Sequence, residues 1–125
     1  MKKILIVEDV EFNRDLLVQL LEEKFEIVTA VDGLSCIEIA ERSQPDLILM
    51  DISLPVIDGL KATQKIKAIE ALRNIPVIAV TAHAMRGDRE RILESGCDDY
   101  LSKPIDEDIL FAKLQQFLGA PTTES

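Results

Sequence analysis

Short, unbroken apolar runs alternate five times with amphipathic stretches along this chain. Ile4-Leu5-Ile6-Val7 and Leu47-Ile48-Leu49-Met50 lack the polar residue at every second place that a half-exposed strand would show. Strands covered on both faces look like this, as in a parallel sheet flanked by helices. The pattern predicts strands over Lys3–Glu8, Glu26–Ala30, Leu47–Asp51, Val77–Val80 and Asp99–Leu101. Between them the period lengthens to that of a helix. Phe12, Leu16, Leu17, Leu20 and Leu21 form one apolar stripe, and Leu34, Ile37 and Ala40 a shorter one. Two more helices are predicted over Leu60–Ala71 and Arg86–Ser95, the latter closed by Gly96 at a C′ position. A fifth runs over Asp106–Leu118, where Asp106, Glu107 and Asp108 suit the positive end of a helix. Pro45 and Pro76 precede strands, where a missing donor does no harm. No repeat or low-complexity segment interrupts the alternation, which implies right-handed crossovers and an α/β sandwich.

Composition narrows the picture. With 125 residues the chain has the size of one domain, expected over 1–119 with a frayed tail at 120–125. Its 47% apolar content is enough for a core without disulfide or metal staples. A net charge of −9 argues against nucleic acid as a direct ligand, since such binding depends on Lys and Arg neutralising phosphates. Cys36 and Cys97 lie far apart, in no metal or redox spacing, and read as small semi-buried apolar residues. Met1-Lys2-Lys3 leads straight into a strand too short for a signal-peptide core or a membrane span. A cytoplasmic protein with no membrane contact is the expectation.

Candidate chemistry gathers at the carboxyl ends of the strands, where open α/β sheets keep their sites. The first strand ends in Glu8-Asp9, the third in Asp51, the fourth in Thr81-Ala82, and the fifth runs into Ser102-Lys103-Pro104. In a sheet ordered 2-1-3-4-5, strands one and three are neighbours at the point where the winding reverses. Glu8, Asp9 and Asp51 would then crowd one crevice. Three carboxylates repel, and at least one pKa should rise unless a cation enters. Magnesium (Mg2+) suits a site with few carboxylates and positions left for water and phosphate oxygens. A carboxylate can attack phosphorus and form an acyl phosphate, provided that positive charge offsets the repulsion between anions. Lys103 supplies an ammonium, and Thr81 a hydroxyl able to donate one hydrogen bond. Asp51, ending the middle strand with partners on both sides, is the best nucleophile. The plainer alternative, in which each acid only caps the next helix, explains one such acid better than a set of five strand-end groups.

These residues resemble the response-regulator receiver domains, and in particular the single-domain CheY-like and DivK-like members. The resemblance runs from Lys3 to Leu118. It rests on Ile6-Val7-Glu8-Asp9, Leu49-Met50-Asp51-Ile52-Ser53-Leu54-Pro55, Asp58-Gly59, Val80-Thr81-Ala82 and Tyr100-Leu101-Ser102-Lys103-Pro104. It implies a flavodoxin-like (βα)5 three-layer sandwich with a five-stranded parallel sheet. It also implies that Asp51 is phosphorylated, that Asp9 binds magnesium directly and Glu8 through water, and that Ser53 gives the metal its backbone carbonyl. The Lys103–Pro104 bond matches the family's cis peptide. Many relatives carry Asp-Asp where this chain has Glu8-Asp9; the longer Glu8 keeps the charge and can shift the metal shell.

The resemblance further implies a switch. Thr81 moves toward the phosphoryl group, Tyr100 turns inward, and the small Ala82 leaves that path open. The surface of the fourth helix, fifth strand and fifth helix then changes its preference for partners, as a population shift. Alternatively, Tyr100 is simply a half-buried strand aromatic. His83 reads as a surface residue, and the run from Ala82 to Arg89 resembles receivers that work with hybrid kinases. The expected partners are a sensor or hybrid histidine kinase, a histidine-phosphotransfer protein and a downstream target, all met by a monomer through protein contact. Three rival readings fit these residues less well. A magnesium-dependent phosphatase of the haloacid dehalogenase type needs a second acid two residues after its nucleophile, where Ser53 stands. A flavin-binding module needs a Ser/Thr/Gly-rich loop in place of Glu8-Asp9-Val10-Glu11. A degenerate receiver would lack some of these chemical residues.

Overall fold

The structure, a computed structural model, describes residues 1–54, 57–82 and 86–119, without the side chains of 86–88. The readings of His83 and of the tail 120–125 lie outside these residues. The apolar runs form β1 (Lys3–Val7), β2 (Glu26–Ala30), β3 (Leu47–Asp51), β4 (Val77–Thr81) and β5 (Asp99–Ser102). They alternate with α1 (Glu11–Leu21), α2 (Gly33–Ser43), α3 (Gly59–Ala68), α4 (Arg86–Glu94) and α5 (Glu107–Leu118). All strands pair in parallel in the order β2-β1-β3-β4-β5, as expected. Among the described residues no helix is long and apolar enough to cross a membrane.

Alternation along the strands divides the core into two layers. Ile4, Ile6, Leu47, Leu49 and Ile78 pack with Leu17 and Leu21 of α1 and with Leu110 and Leu114 of α5. Leu5, Val7, Ile48, Met50, Val77 and Ala79 face the other way. They meet Cys36 and Ala40 of α2, Ala62 and Ile66 of α3, and Ile92 of α4. Each fully buried Leu or Ile contributes about 2 kcal/mol, against roughly 1 kcal/mol for a helix cap. Packing on both faces therefore dominates the stability of this sheet.

Three helical expectations need correction. In α1 the stripe is buried only in its second half: Leu17 and Leu21 are covered, whereas Phe12 is 71% and Leu16 50% exposed. In α2 the inward face is Gly33, Cys36 and Ala40, while Leu34 points outward. Small residues occupy that face because α2 lies close against the neighbouring loop, where a Cβ on Gly33 would collide with the carbonyl oxygen of Ile57. The third helix stops at Ala68, three residues short of the expected end, because Ile69 takes extended angles (φ −92°, ψ 122°). Lys67 Nζ holds the turn that follows, donating to the carbonyls of Arg73 and Ile75 at 3.2 and 2.8 Å and to Asp98 Oδ2 at 3.1 Å. Leu72 is thereby folded back into the core. Gly96 lies at φ +108°, the left-handed region expected of a helix-ending glycine. Both cysteines are free and fully buried rather than half-buried.

Candidate functional site

Parallel strands end along one edge of the sheet, and that edge carries the site. Glu8 continues the face of Ile4 and Ile6, Asp51 that of Leu47 and Leu49, and Lys103 that of Leu101. The β3–β4 register places Asp51 opposite Val80, so Thr81 lies one residue beyond the acceptor level. The strand ends are tied together: Glu8 N–H donates to the Ala30 carbonyl, Ile52 N–H to Val80, and Lys103 N–H to Thr81.

The expected acid cluster forms. Carboxylate oxygens of Glu8, Asp9 and Asp51 lie within 4.8 Å of one another, with Glu8 and Asp51 buried and Asp9 exposed. Lys103 Nζ stands 3.3 Å from Asp51 Oδ2 and 3.4 Å from Glu8 Oε1. Asp51 Oδ1 also accepts the N–H of Ser53 at 2.9 Å. Burial pushes the Glu8 carboxyl above its ordinary range; the Val10 N–H and the Lys103 ammonium oppose the rise, and the nearby Asp51 charge adds to it. Burial alone would lower the Lys103 pKa, but the charges of Asp51 and Glu8 outweigh it and hold the ammonium protonated. Among the described residues, the Lys103 ammonium thus faces three acids. The surplus of hard oxygen donors, two of them desolvated, fits a small divalent cation.

The other expected residues fall around this centre. Ser53 is exposed at the mouth, and Thr81 is buried at the end of β4, in register with Ser102. Ala82 is exposed, and Tyr100 is half-buried against the α2–α4 core layer. The Lys103–Pro104 peptide bond is cis.

Three supporting residues were given no role by the sequence, although Asp58-Gly59 is among the motifs that carry the resemblance. Asp58 accepts Lys61 N–H at 2.9 Å and caps α3; an acid followed by Gly before a helical stretch was the available signal. Gly59 backs onto the acceptor, where a Cβ would collide with the Asp51 carbonyl oxygen and lie 2.6 Å from Ile52 Cα. Arg14 donates from Nη1 to the Glu8 carbonyl at 2.9 Å. Nothing in the sequence marks it apart from other polar helix positions.

Comparisons with known proteins agree with this geometry. The family described as "Response regulator receiver domain" matches residues 4–115. The polar-differentiation response regulator DivK of Brucella ovis is 46% identical over 119 residues, covering 94% of this chain and 97% of its own. The receiver domain of sensor histidine kinase PA1611 from Pseudomonas aeruginosa, solved with a magnesium ion coordinated in its active-site cleft, is 41% identical. It superposes with a TM-score of 0.88 over 95% of this chain and 98% of its own. The Ssk1 receiver domain of Saccharomyces cerevisiae, solved with the histidine phosphotransfer protein Ypd1, is 30% identical at TM-score 0.86, covering 93% of this chain and 88% of the other. With the sheet order, the strand-end acids and a match spanning nearly every element in agreement, the chain belongs to the response-regulator receiver domain family.

Proposed function

We propose that Asp51 is the phosphoacceptor of a two-component phosphorelay, taking its phosphoryl group from a phosphohistidine. The observation that carries this reading is the Lys103 ammonium between Asp51 and Glu8 at 3.3 and 3.4 Å. An Asp51 oxygen forms the new bond to phosphorus as the phosphorus–nitrogen bond breaks, and the imidazole nitrogen leaves with the bonding pair. Lys103 shields the approaching anion from the acids and holds a transferring oxygen; Thr81 donates its hydroxyl to the same group. Asp9, Asp51 and the Ser53 carbonyl would hold magnesium, with Glu8 acting through water, and the ion would supply the remaining positive charge. The carboxylate cluster and the magnesium-bound relative support that assignment.

The donor in this reading is a histidine-phosphotransfer protein or the kinase itself. Support comes from the exposed Phe12 and Leu16 on α1. Next to them a groove of about 640 Å³ runs between Leu16, Leu17 and Leu20 of α1 and the Pro104-Ile105 turn. The Ypd1-bound relative supports the same class of donor. Transfer into Asp51 then draws Thr81 inward and lets Tyr100 follow past Ala82, which changes the α4–β5–α5 face that targets read. Residues 1–119 act as one receiver unit in the cytoplasm, as a switch and not as an enzyme turning over a small substrate.

The test is incubation with acetyl phosphate and magnesium followed by intact mass measurement. One phosphoryl group should be gained, and lost in Asp51→Asn or without magnesium. No gain in the unaltered protein overturns the reading. Steady turnover of small phosphate esters would point instead to a phosphatase.

A further inference from the structure

We infer that Arg14 is a positioning residue that holds Glu8 and Asp9 in metal-binding geometry, an inference resting on the phosphoacceptor reading of their site. Adjacent side chains of a strand point to opposite faces, so Glu8 and Asp9 would normally diverge at the end of β1. Their carboxylates instead converge within 4.8 Å of each other and of Asp51. The backbone must turn between them, and two contacts pin the turn. Val10 N–H donates to Glu8 Oε2 at 3.1 Å, folding the Glu8 side chain back over its own backbone. Arg14 Nη1 donates to the Glu8 carbonyl at 2.9 Å, reaching back from the first turns of α1. The helix start adds no lock of its own, because its N-cap residue Val10 has no side-chain bond to offer.

Charge and position predict opposite effects here. A guanidinium bonded to the Glu8 backbone adds positive charge near the cluster and repels a divalent cation, so its charge alone makes magnesium bind more weakly. As a brace for the turn, Arg14 makes magnesium bind more tightly. Without the brace, the competent turn is populated less, and the apparent dissociation constant rises by the inverse of that population.

Magnesium titration by calorimetry decides between them, using the unaltered protein, Arg14→Ala and Arg14→Lys. Arg14→Ala should weaken magnesium binding about tenfold, the loss expected for one charge-assisted hydrogen bond. Arg14→Lys, whose ammonium can still donate to the carbonyl, should recover most of it. In metal-free protein, the Val10 amide should exchange faster in Arg14→Ala. Phosphorylation by acetyl phosphate should be slow at low magnesium and return to the unaltered rate at saturation. Magnesium binding in Arg14→Ala that is unchanged or tighter, even with a lower melting temperature, overturns the proposal, as does failure of Arg14→Lys to recover affinity. If Arg14→Ala does not fold, Arg14→Met, which keeps most of the stem without a donor, replaces it and must show the same weakening. A chain that binds magnesium in this pattern but takes up no phosphoryl group sinks the phosphoacceptor reading and leaves the role of Arg14 standing.

Discussion

Lys103 Nζ and Asp51 Oδ2 lie 3.3 Å apart across 52 residues of sequence. Both groups end strands of one sheet, and β4 between their strands sets their spacing. The ammonium is the cation that the proposed chemistry needs. Replacing Lys103 with Ala should therefore slow phosphorylation of Asp51 by about a hundredfold, the typical cost of removing one preorganised charge-stabilising donor. Magnesium binding should persist and tighten, because a competing cation has gone. Phosphorylation rates and a magnesium titration of the same variant check both halves.

Asp32 caps α2 through Ser35 N–H at 2.7 Å, and that bond, the largest influence, holds its carboxyl below the ordinary 3.8. Between the depressed and ordinary values the unfolded chain binds more protons than the folded one, so stability rises with pH there. The contribution is fully present above pH 3.8 and is lost as pH falls through the depressed value. Urea unfolding should show Asp32→Ala costing about 1 kcal/mol at neutral pH and less in strong acid. Asp32→Asn, which keeps an acceptor but cannot ionise, should flatten the difference.

Gly59 offers a steric prediction. Its missing Cβ makes room for the carbonyl oxygen of Asp51 and for Ile52 Cα, which are backbone atoms and cannot rotate away. Gly59→Ala should destabilise the protein by about 1–3 kcal/mol, as overpacking does. Magnesium affinity should fall with it, because the displaced atoms carry the acceptor. Denaturation midpoints and a magnesium titration test the pair of effects.

Burial, with a smaller push from the Asp32 charge, raises the Cys36 thiol to about 12. Burial likewise raises Cys97, against the lowering effect of its bonds with Ser95 and Thr63. Neither thiol should react with iodoacetamide at neutral pH in the folded protein, since the thiolate is the reactive form. Labelling should begin only as denaturant opens the core. Rapid labelling of the native protein would show that one of the two layers opens readily.

Much of the fold was legible because apolar runs mark doubly covered strands, and such strands end along one edge. The acids at 8, 9 and 51 and the lysine at 103 were legible for the same reason. Which half of an apolar stripe is covered was not: Phe12 and Leu17 lie on one stripe, but only Leu17 meets α5 and the sheet. The end of α3 was hidden too, because the Lys67 contacts that hold the following turn come from Arg73, Ile75 and Asp98. Gly33 and Gly59 fit against backbone atoms brought close by packing. Arg14 serves a carbonyl, and carbonyls leave no trace in a residue string.

The parallel register has a practical consequence. Glu8, Asp51 and Lys103 come from three strands of one sheet, and slipping any strand by one place would turn its residue to the opposite face. The constellation is thus collective and exists only when every ladder is aligned. Loss of cation binding along a denaturation curve would then trace the sheet's own melting, with the crevice serving as a built-in gauge of strand alignment.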